Sequence, residues 1–401
     1  MKPPSTVSAS QDFGTFAYYR AVETVRSVCL READWLVNVV KELVSRESPS
    51  TDATALDACA GVLAGQLVST GAVVTRVPAG STARHVLARW PGRGARVLLI
   101  GHFDTVWPIG QLTRMPLHEA DGKLFGPGVL DMKAGLGIGT LAVRALVETV
   151  PEERRPQVFL LATSDEEVGS GSSRAAIEEL ARESVAVLVL EPALPGGAVK
   201  TARKGVGEFV VATHGISAHA GANPRVGASA VHELARIITT IERWNDDARG
   251  ISVNVGVIEG GSRSNVVAER ARATVDVRIP QLADGAVIDQ AFKSLRTIDP
   301  RVRLEITGGI NRPPMERTPG TERLFELARE VAQANGAPLE EGSTGGASDG
   351  NFTAALGIPT LDGLGAIGDG PHALDEHVIL RELPERAALV GGLLARLEGV
   401  R

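Results

Sequence analysis

The chain has 401 residues, which at roughly 150 residues per domain suggests two or three folding units. Its 42 basic and 48 acidic side chains leave a net charge of −6, which excludes a nucleic-acid binder working through a strongly basic face. Hydrophobic residues at 43% and charged residues at 22% exclude disorder as the main state, and no apolar run approaches the ~18 residues of a membrane span.

Two cysteines, Cys29 and Cys59, cannot build a disulfide framework and read as reduced thiols of a cytoplasmic protein. The stretch from Met1 to Tyr19 has no apolar core behind a basic start, which argues against a secretory signal. The 45 glycines point to many tight turns and to backbone packed closely around a site.

Helical periodicity covers residues 23–45 and 53–69, and strand-like alternation follows at 73–77 and 85–90. Three continuously apolar runs then begin at Arg96, Val158 and Val185 and end in His102-Phe-Asp104, Asp165-Glu-Glu167 and Glu191-Pro192. Unbroken apolar strands are covered on both faces. The helical segments at 131–149 and 172–183 supply that cover, so the fold class is α/β with a mostly parallel sheet flanked by helices. Sites in such sheets form at the carboxyl ends of the strands.

From about residue 205 the order becomes β-α-β-β-α-β, a ferredoxin-like α+β sandwich inserted into the α/β domain. The expected division is a catalytic domain at 1–203 and 314–401, with the insertion at 204–313. A helix at 322–334, an apolar run at 358–361 and a last helix at 382–397 belong to the returning part.

The candidate ligands are His102, Asp104, Asp131, Glu166, Glu167, Glu191 and His372. Histidine nitrogen with carboxylate oxygen is a zinc donor set of the catalytic kind, and no cysteine falls among them. One carboxylate shared between two ions completes two coordination spheres, and a carboxylate beside the site can move the water's proton. Adjacent Glu166 and Glu167 can divide those roles. Asp104 lies two residues from His102 on an extended segment, and so can orient its ring. Taken singly, Asp131 reads as a helix N-cap, Asp165-Glu-Glu167 as a charged first helical turn and His372 as a loop histidine. Only the joint pattern argues for chemistry.

Six stretches, in order, resemble the zinc-dependent aminoacylase and carboxypeptidase family, nearest its glutamate carboxypeptidases. They are Gly101-His-Phe-Asp-Thr-Val, Phe125-Gly-Pro-Gly-Val-Leu-Asp-Met-Lys-Ala-Gly, Ser164-Asp-Glu-Glu-Val-Gly, Glu191-Pro, Gly215-Ile-Ser-Ala-His-Ala-Gly and Gly363-Leu-Gly-Ala-Ile-Gly-Asp-Gly-Pro-His. The resemblance implies two Zn2+ per chain, with Co2+ or Mn2+ as substitutes. His102 and Glu191 would hold one ion, Glu167 and His372 the other, and Asp131 would bridge them through a segment whose following peptide is cis. Glu166 would be the general base and Asp104 the support of His102. The insertion would be a lid and dimerisation domain, with His219 reaching the partner subunit's site.

Arg278 and Asn265 match substrate-binding positions of that family, and the passage around Gly346 matches its pocket wall. Arg312 near the lid's exit could reach a second carboxylate. The implied activity is release of a free C-terminal amino acid, glutamate or aspartate favoured, from an N-acyl amino acid or short peptide by a homodimer. The alternatives are an aminoacylase or dipeptidase for apolar substrates and a non-catalytic binding protein of the same fold. A nucleotide-binding reading rests on Gly135-Leu-Gly137-Ile-Gly139, which lies inside a helix rather than at a strand-helix turn.

Overall fold

The computed structural model describes residues 21–78 and 84–397. The amino-terminal stretch read above for a secretory signal therefore lies outside the described residues. Among the described residues no helix is long and apolar enough to cross a membrane.

The main sheet has six strands in the order Val73–Val77, His85–Trp90, Gln157–Thr163, Arg96–His102, Ala186–Val189, Thr360–Leu361. The first two strands run antiparallel to their neighbours, and the other four are mutually parallel. Arg96–His102 shows why its run is continuously apolar. Val97 and Leu99 face one hydrophobic cluster, while Leu98 and Ile100 face another that holds Ile177 and Phe352. Both faces are covered, so the positions from Val97 to Ile100 are all apolar.

Helix Ala134–Thr149 packs within the first of these clusters, and its glycines allow the close approach. A Cβ on Gly135 would lie 2.0 Å from the carbonyl oxygen of Leu190. Gly135 and Gly139 pack against Leu190, beside the strand that delivers Glu191, while Gly137 packs against Leu36 and Val40; glycines used for packing inside a helix remove the nucleotide-binding reading. The regular helix starts at Ala134, later than periodicity suggests. Residues Val129–Lys133 form an irregular turn in which Asp131 is extended, with φ −112° and ψ 93°; the N-cap position falls on Lys133, two residues further on, so Asp131 does not cap the helix. The peptide between Asp131 and Met132 is cis.

A second, small sheet was not foreseen. It is antiparallel, in the order Gly368–Asp369, His377–Ile379, Lys123–Phe125, His118–Ala120. It joins the hairpin that carries His372 to the segment that leads into Asp131.

Backbone contacts divide the chain into two units. One comprises the described residues up to Thr201, Arg317–Gly342 and the described residues from Ser348 onward; the other is Ala202–Glu316 with Ser343–Ala347. The second unit has a four-stranded antiparallel sheet, ordered Ser252–Gly260, Arg270–Ile279, Gly205–His214, Arg303–Arg312. Alternate residues Ala273, Val275 and Val277 bury one face under helices Ala230–Ile241 and Leu282–Ser294, whose Leu234, Ile237, Ile288 and Phe292 complete the core.

Replacing Gly135 by alanine tests the close packing. Helix propensity alone would favour alanine by about 1 kcal/mol. Collision with the Leu190 carbonyl is expected to outweigh that gain and give a net loss of roughly 1–3 kcal/mol. Chemical denaturation reads the difference, and an unchanged or higher midpoint would contradict this packing.

Candidate metal centre

Parallel pairing sets the site. The strand Arg96–His102 pairs with Gln157–Thr163 up to His102 opposite Thr163, and with Ala186–Val189 up to Ile100 opposite Val189. Their carboxyl ends therefore share one edge, and the residues next in chain, Glu166, Glu167 and Glu191, emerge beside His102. Asp131 arrives from its irregular turn and His372 from the small sheet's hairpin. His372 has φ 62°, a left-handed conformation rare for a residue with a Cβ. Such conformations cost on the order of 1–3 kcal/mol and persist where surrounding structure enforces them.

Asp131 stands between two imidazoles. Its Oδ1 is 3.2 Å from His102 Nε2, and its Oδ2 is 3.3 Å from His372 Nε2. Glu191 Oε1 lies 3.6 Å from the first imidazole, and Glu167 Oε2 lies 3.4 Å from the second. Donor atoms of His102, Asp131 and Glu167 fall within 4.8 Å of one another.

Asp104 is fully buried and holds several of these groups at once. His102 Nδ1 is 3.0 Å from the Asp104 carbonyl oxygen and 3.4 Å from its Oδ1. The backbone N–H groups of Glu166 and Glu167 donate to the two oxygens of the same carboxylate, at 3.3 and 3.2 Å. The hydroxyl of Ser50 donates to it at 2.7 Å. With Nδ1 donating to Asp104, His102 presents Nε2 to the site.

Electrostatics follow from this crowding. Burial pulls His102 down, but hydrogen bonds with Asp104, Asp131 and Glu191 hold it well above the usual imidazole range. Hydrogen bonds with Asp131 and Glu167 push His372 up to about 10. Burial opposes ionisation of Asp131, yet its bonds to the two histidines hold it well below the usual carboxylate range. Burial pushes Glu167 up, and its Oε1 is buried with no hydrogen-bond partner.

Two imidazoles, converging carboxylates and an orphaned carboxylate oxygen fit divalent cations. Both nitrogen and oxygen donors are present, and the charge is too negative to balance without cations.

Sequence reasoning missed the groups that brace this set. Glu376 is a buried carboxylate that accepts the backbone N–H groups of Gly128, Leu130 and Asp131 and the indole N–H of Trp107. His85 is buried too. Its Nδ1 accepts the N–H of Ser164 at 3.2 Å, and its Nε2 lies 3.3 Å from the Ser172 hydroxyl, which donates to Asp165. These residues sit outside every motif, and the sequence marks them only as ordinary loop or strand-end polar groups.

The remaining candidates lie in the second unit. His219 is exposed, and its Nδ1 accepts the N–H groups of Gly221 and Ala222 at 3.1 and 3.0 Å. The ring proton therefore sits on Nε2. Asn265 lies alongside, its carbonyl accepting the N–H of Ala220 at 2.9 Å. Arg278 donates twice to Asp276, at 2.8 Å each, and once to the Gly345 carbonyl at 3.3 Å. The Gly346 carbonyl accepts from Arg203 at 3.1 Å. Arg312 ends its strand opposite Val206.

Donors of this kind at the edge of an α/β sheet suit a metal-dependent hydrolase. Residues 98–396 match the sequence profile described as peptidase family M20/M25/M40, and the chain belongs to that family. It is 28% identical over 375 residues to carboxypeptidase G2 of Pseudomonas sp. (strain RS-16), covering 90% of this chain and 89% of the relative. It is 25% identical over 387 residues to a succinyl-diaminopimelate desuccinylase of Paracidovorax citrulli, covering 90% and 97%. The fold resembles that of aminopeptidase PepT from Bacillus cereus, with TM-score 0.77, 22% identity, and coverage of 91% of this chain and 98% of that one.

The raised imidazole pKa values yield a pH prediction. At pH 7 the His372 ring holds its second proton in the metal-free protein, whereas a ligating imidazole must lose it. Metal loading at pH 7 is expected to release acid, and affinity is expected to rise with pH toward the His372 value of about 10. A pH-stat titration with Zn2+ measures this, and metal uptake without acid release would refute it.

Proposed function

We propose that this enzyme hydrolyses the amide bond of an N-acyl amino acid or short peptide and releases the C-terminal amino acid, with glutamate or aspartate favoured. The observation that carries the proposal is the division of the Asp131 carboxylate between two histidine-carboxylate pairs, with Glu166 beside them. His102, Asp131 and Glu191 would hold one Zn2+, and Asp131, Glu167 and His372 the other; Co2+ or Mn2+ suits the same donors. Two such ions would polarise the scissile carbonyl and acidify a water between them toward a pKa of about 7.

The chain's own groups do the rest. Glu166, whose backbone is fixed by Asp104, would take the water's proton and pass it to the leaving amine. His219, its proton fixed on Nε2, would donate to the carbonyl oxygen as charge develops there, from the partner subunit of a homodimer. Arg278 would bind the substrate's α-carboxylate in the bidentate manner it now uses with Asp276. Arg312 would meet a side-chain carboxylate. Gly346, with no atom within 4 Å of where a Cβ would stand, would leave room for substrate along the backbone. The relatives' names support this direction: one is a carboxypeptidase, and another removes a succinyl group from succinyl-diaminopimelate. Two buried free thiols suit the cytoplasm.

A second reading, an aminoacylase or dipeptidase for apolar substrates, has its own observation. Val106, Ile109, Val168 and Leu374 are 44–63% exposed and follow Asp104, Glu167 and His372 closely in the chain. Exposed apolar side chains on loops that carry ligands suit an apolar substrate group.

A release assay decides between them. Zinc-loaded and chelator-treated protein would be offered N-acyl-glutamates, N-acyl-aspartates, N-acyl apolar amino acids and dipeptides, with mass spectrometry of the freed amino acid. Chelator-sensitive release confined to acidic members is the expected result; release of apolar amino acids alone would transfer the case to the second reading. Glu166→Ala is expected to lower kcat by roughly 10²–10⁴-fold with both metal equivalents retained, and near-full turnover would remove the base assignment. His219→Ala is expected to lower kcat by about 10²–10³-fold, and an unchanged kcat would exclude its contact with the carbonyl oxygen.

A further inference from the structure

Glu376 is 1% exposed, and its carboxylate accepts from four N–H donors. Oε1 accepts from the backbone of Leu130 at 2.9 Å and of Asp131 at 3.1 Å. Oε2 accepts from the backbone of Gly128 at 2.9 Å and from the indole of Trp107 at 3.0 Å. The Glu376 carbonyl also accepts the N–H of Gly126 at 3.3 Å. The turn needs such a partner. Asp131 and Met132 have non-helical dihedrals, so the backbone N–H groups around them cannot all be satisfied by a regular helical ladder. A buried carboxylate takes the place of that ladder.

Glu376 also lies four residues beyond His372, immediately before the strand His377–Ile379 that pairs with Lys123–Phe125. One side chain thus ties the His372 hairpin to the turn that aims Asp131.

We infer that Glu376 is a positioning residue for the bridging carboxylate: by binding the backbone from Gly128 to Asp131, it sets the direction of the Asp131 side chain between His102 and His372. The inference rests on the reading of Asp131 as the group shared by two metal ions. Glu376 itself touches neither imidazole nor substrate, so its effect passes through Asp131. Replacing it by glutamine conserves size but puts an NH2 against two N–H donors whichever way the amide turns. At least two of the four bonds are lost, and the turn is released.

The test is Co2+ binding to the full-length metal-free protein, by calorimetry and by visible absorption, in wild type, Glu376→Gln and Glu376→Asp. Groups that orient metal ligands from outside the coordination sphere typically change affinity by roughly 10–100-fold. Glu376→Gln is expected to lose that much at both ions, since both share Asp131, with an altered Co2+ spectrum. Glu376→Asp keeps the charge and is expected to fall between the two. A purely structural role would lower the melting temperature of the metal-free protein while leaving affinity and spectrum of the folded molecules unchanged, and that result would overturn the inference. Should the glutamine variant fail to fold, the aspartate variant carries the same comparison. If wild type itself binds fewer than two equivalents, the shared-aspartate reading fails and the inference falls with it; wild type with two equivalents and unaltered variants overturns the inference alone.

Discussion

Negative charge has to be gathered at the edge of an apolar sheet, and the contact of Asp131 with two imidazoles is where the chain concentrates it. One carboxylate oxygen faces each ring, at 3.2 and 3.3 Å. Carboxylates this buried carry a desolvation penalty that only pairing offsets. The pairing needs three distant stretches to meet: the end of the strand Arg96–His102, the turn Val129–Lys133 and the hairpin around His372. Much of the surrounding structure serves that meeting. Asp104 fixes the first stretch against the Glu166-Glu167 turn, and Glu376 fixes the second against the third.

How much of this the sequence discloses depends on how each feature is encoded. The central strands were legible because burial on both faces forbids polar residues along their length. The candidate ligands stood out because His102, Glu166, Glu167 and Glu191 follow those strands directly, and because the stretches around Asp131 and His372 resemble a family. The small sheet was not legible. Its strands are two or three residues long, too short for any periodicity, and Gly368–Asp369 carries no strand preference. Glu376 was invisible for a related reason: its partners are backbone N–H groups, which leave no mark in sequence. Asp131 taken singly reads as a cap because it precedes a helical pattern, but the N-cap position falls on Lys133, and the Asp131 carboxylate lies between two imidazoles instead.

The second unit uses charge differently. Its helices and sheet bury an apolar face, while its polar candidates make local contacts: Arg278 with Asp276 and Gly345, Arg203 with Gly346, His219 with its own loop backbone. In the role proposed for Arg278, a guanidinium already held by Asp276 is oriented before substrate arrives, and a substrate carboxylate would compete with that neighbour as well as with water. Selectivity at such a position reflects a difference between two ion pairs, not the full strength of one.

The placement of Thr360–Leu361 and His372 has a consequence for synthesis. The sheet's parallel edge at Ala186–Val189 stays unpaired until Thr360–Leu361 is made, and the imidazole opposite His102 follows later still. The intervening unit, with its own core and neighbouring strands, can fold while the ribosome is still adding the rest. A growing chain therefore carries four of the five proposed metal ligands well before His372 is made, and the proposed centre closes only when the returning segment docks.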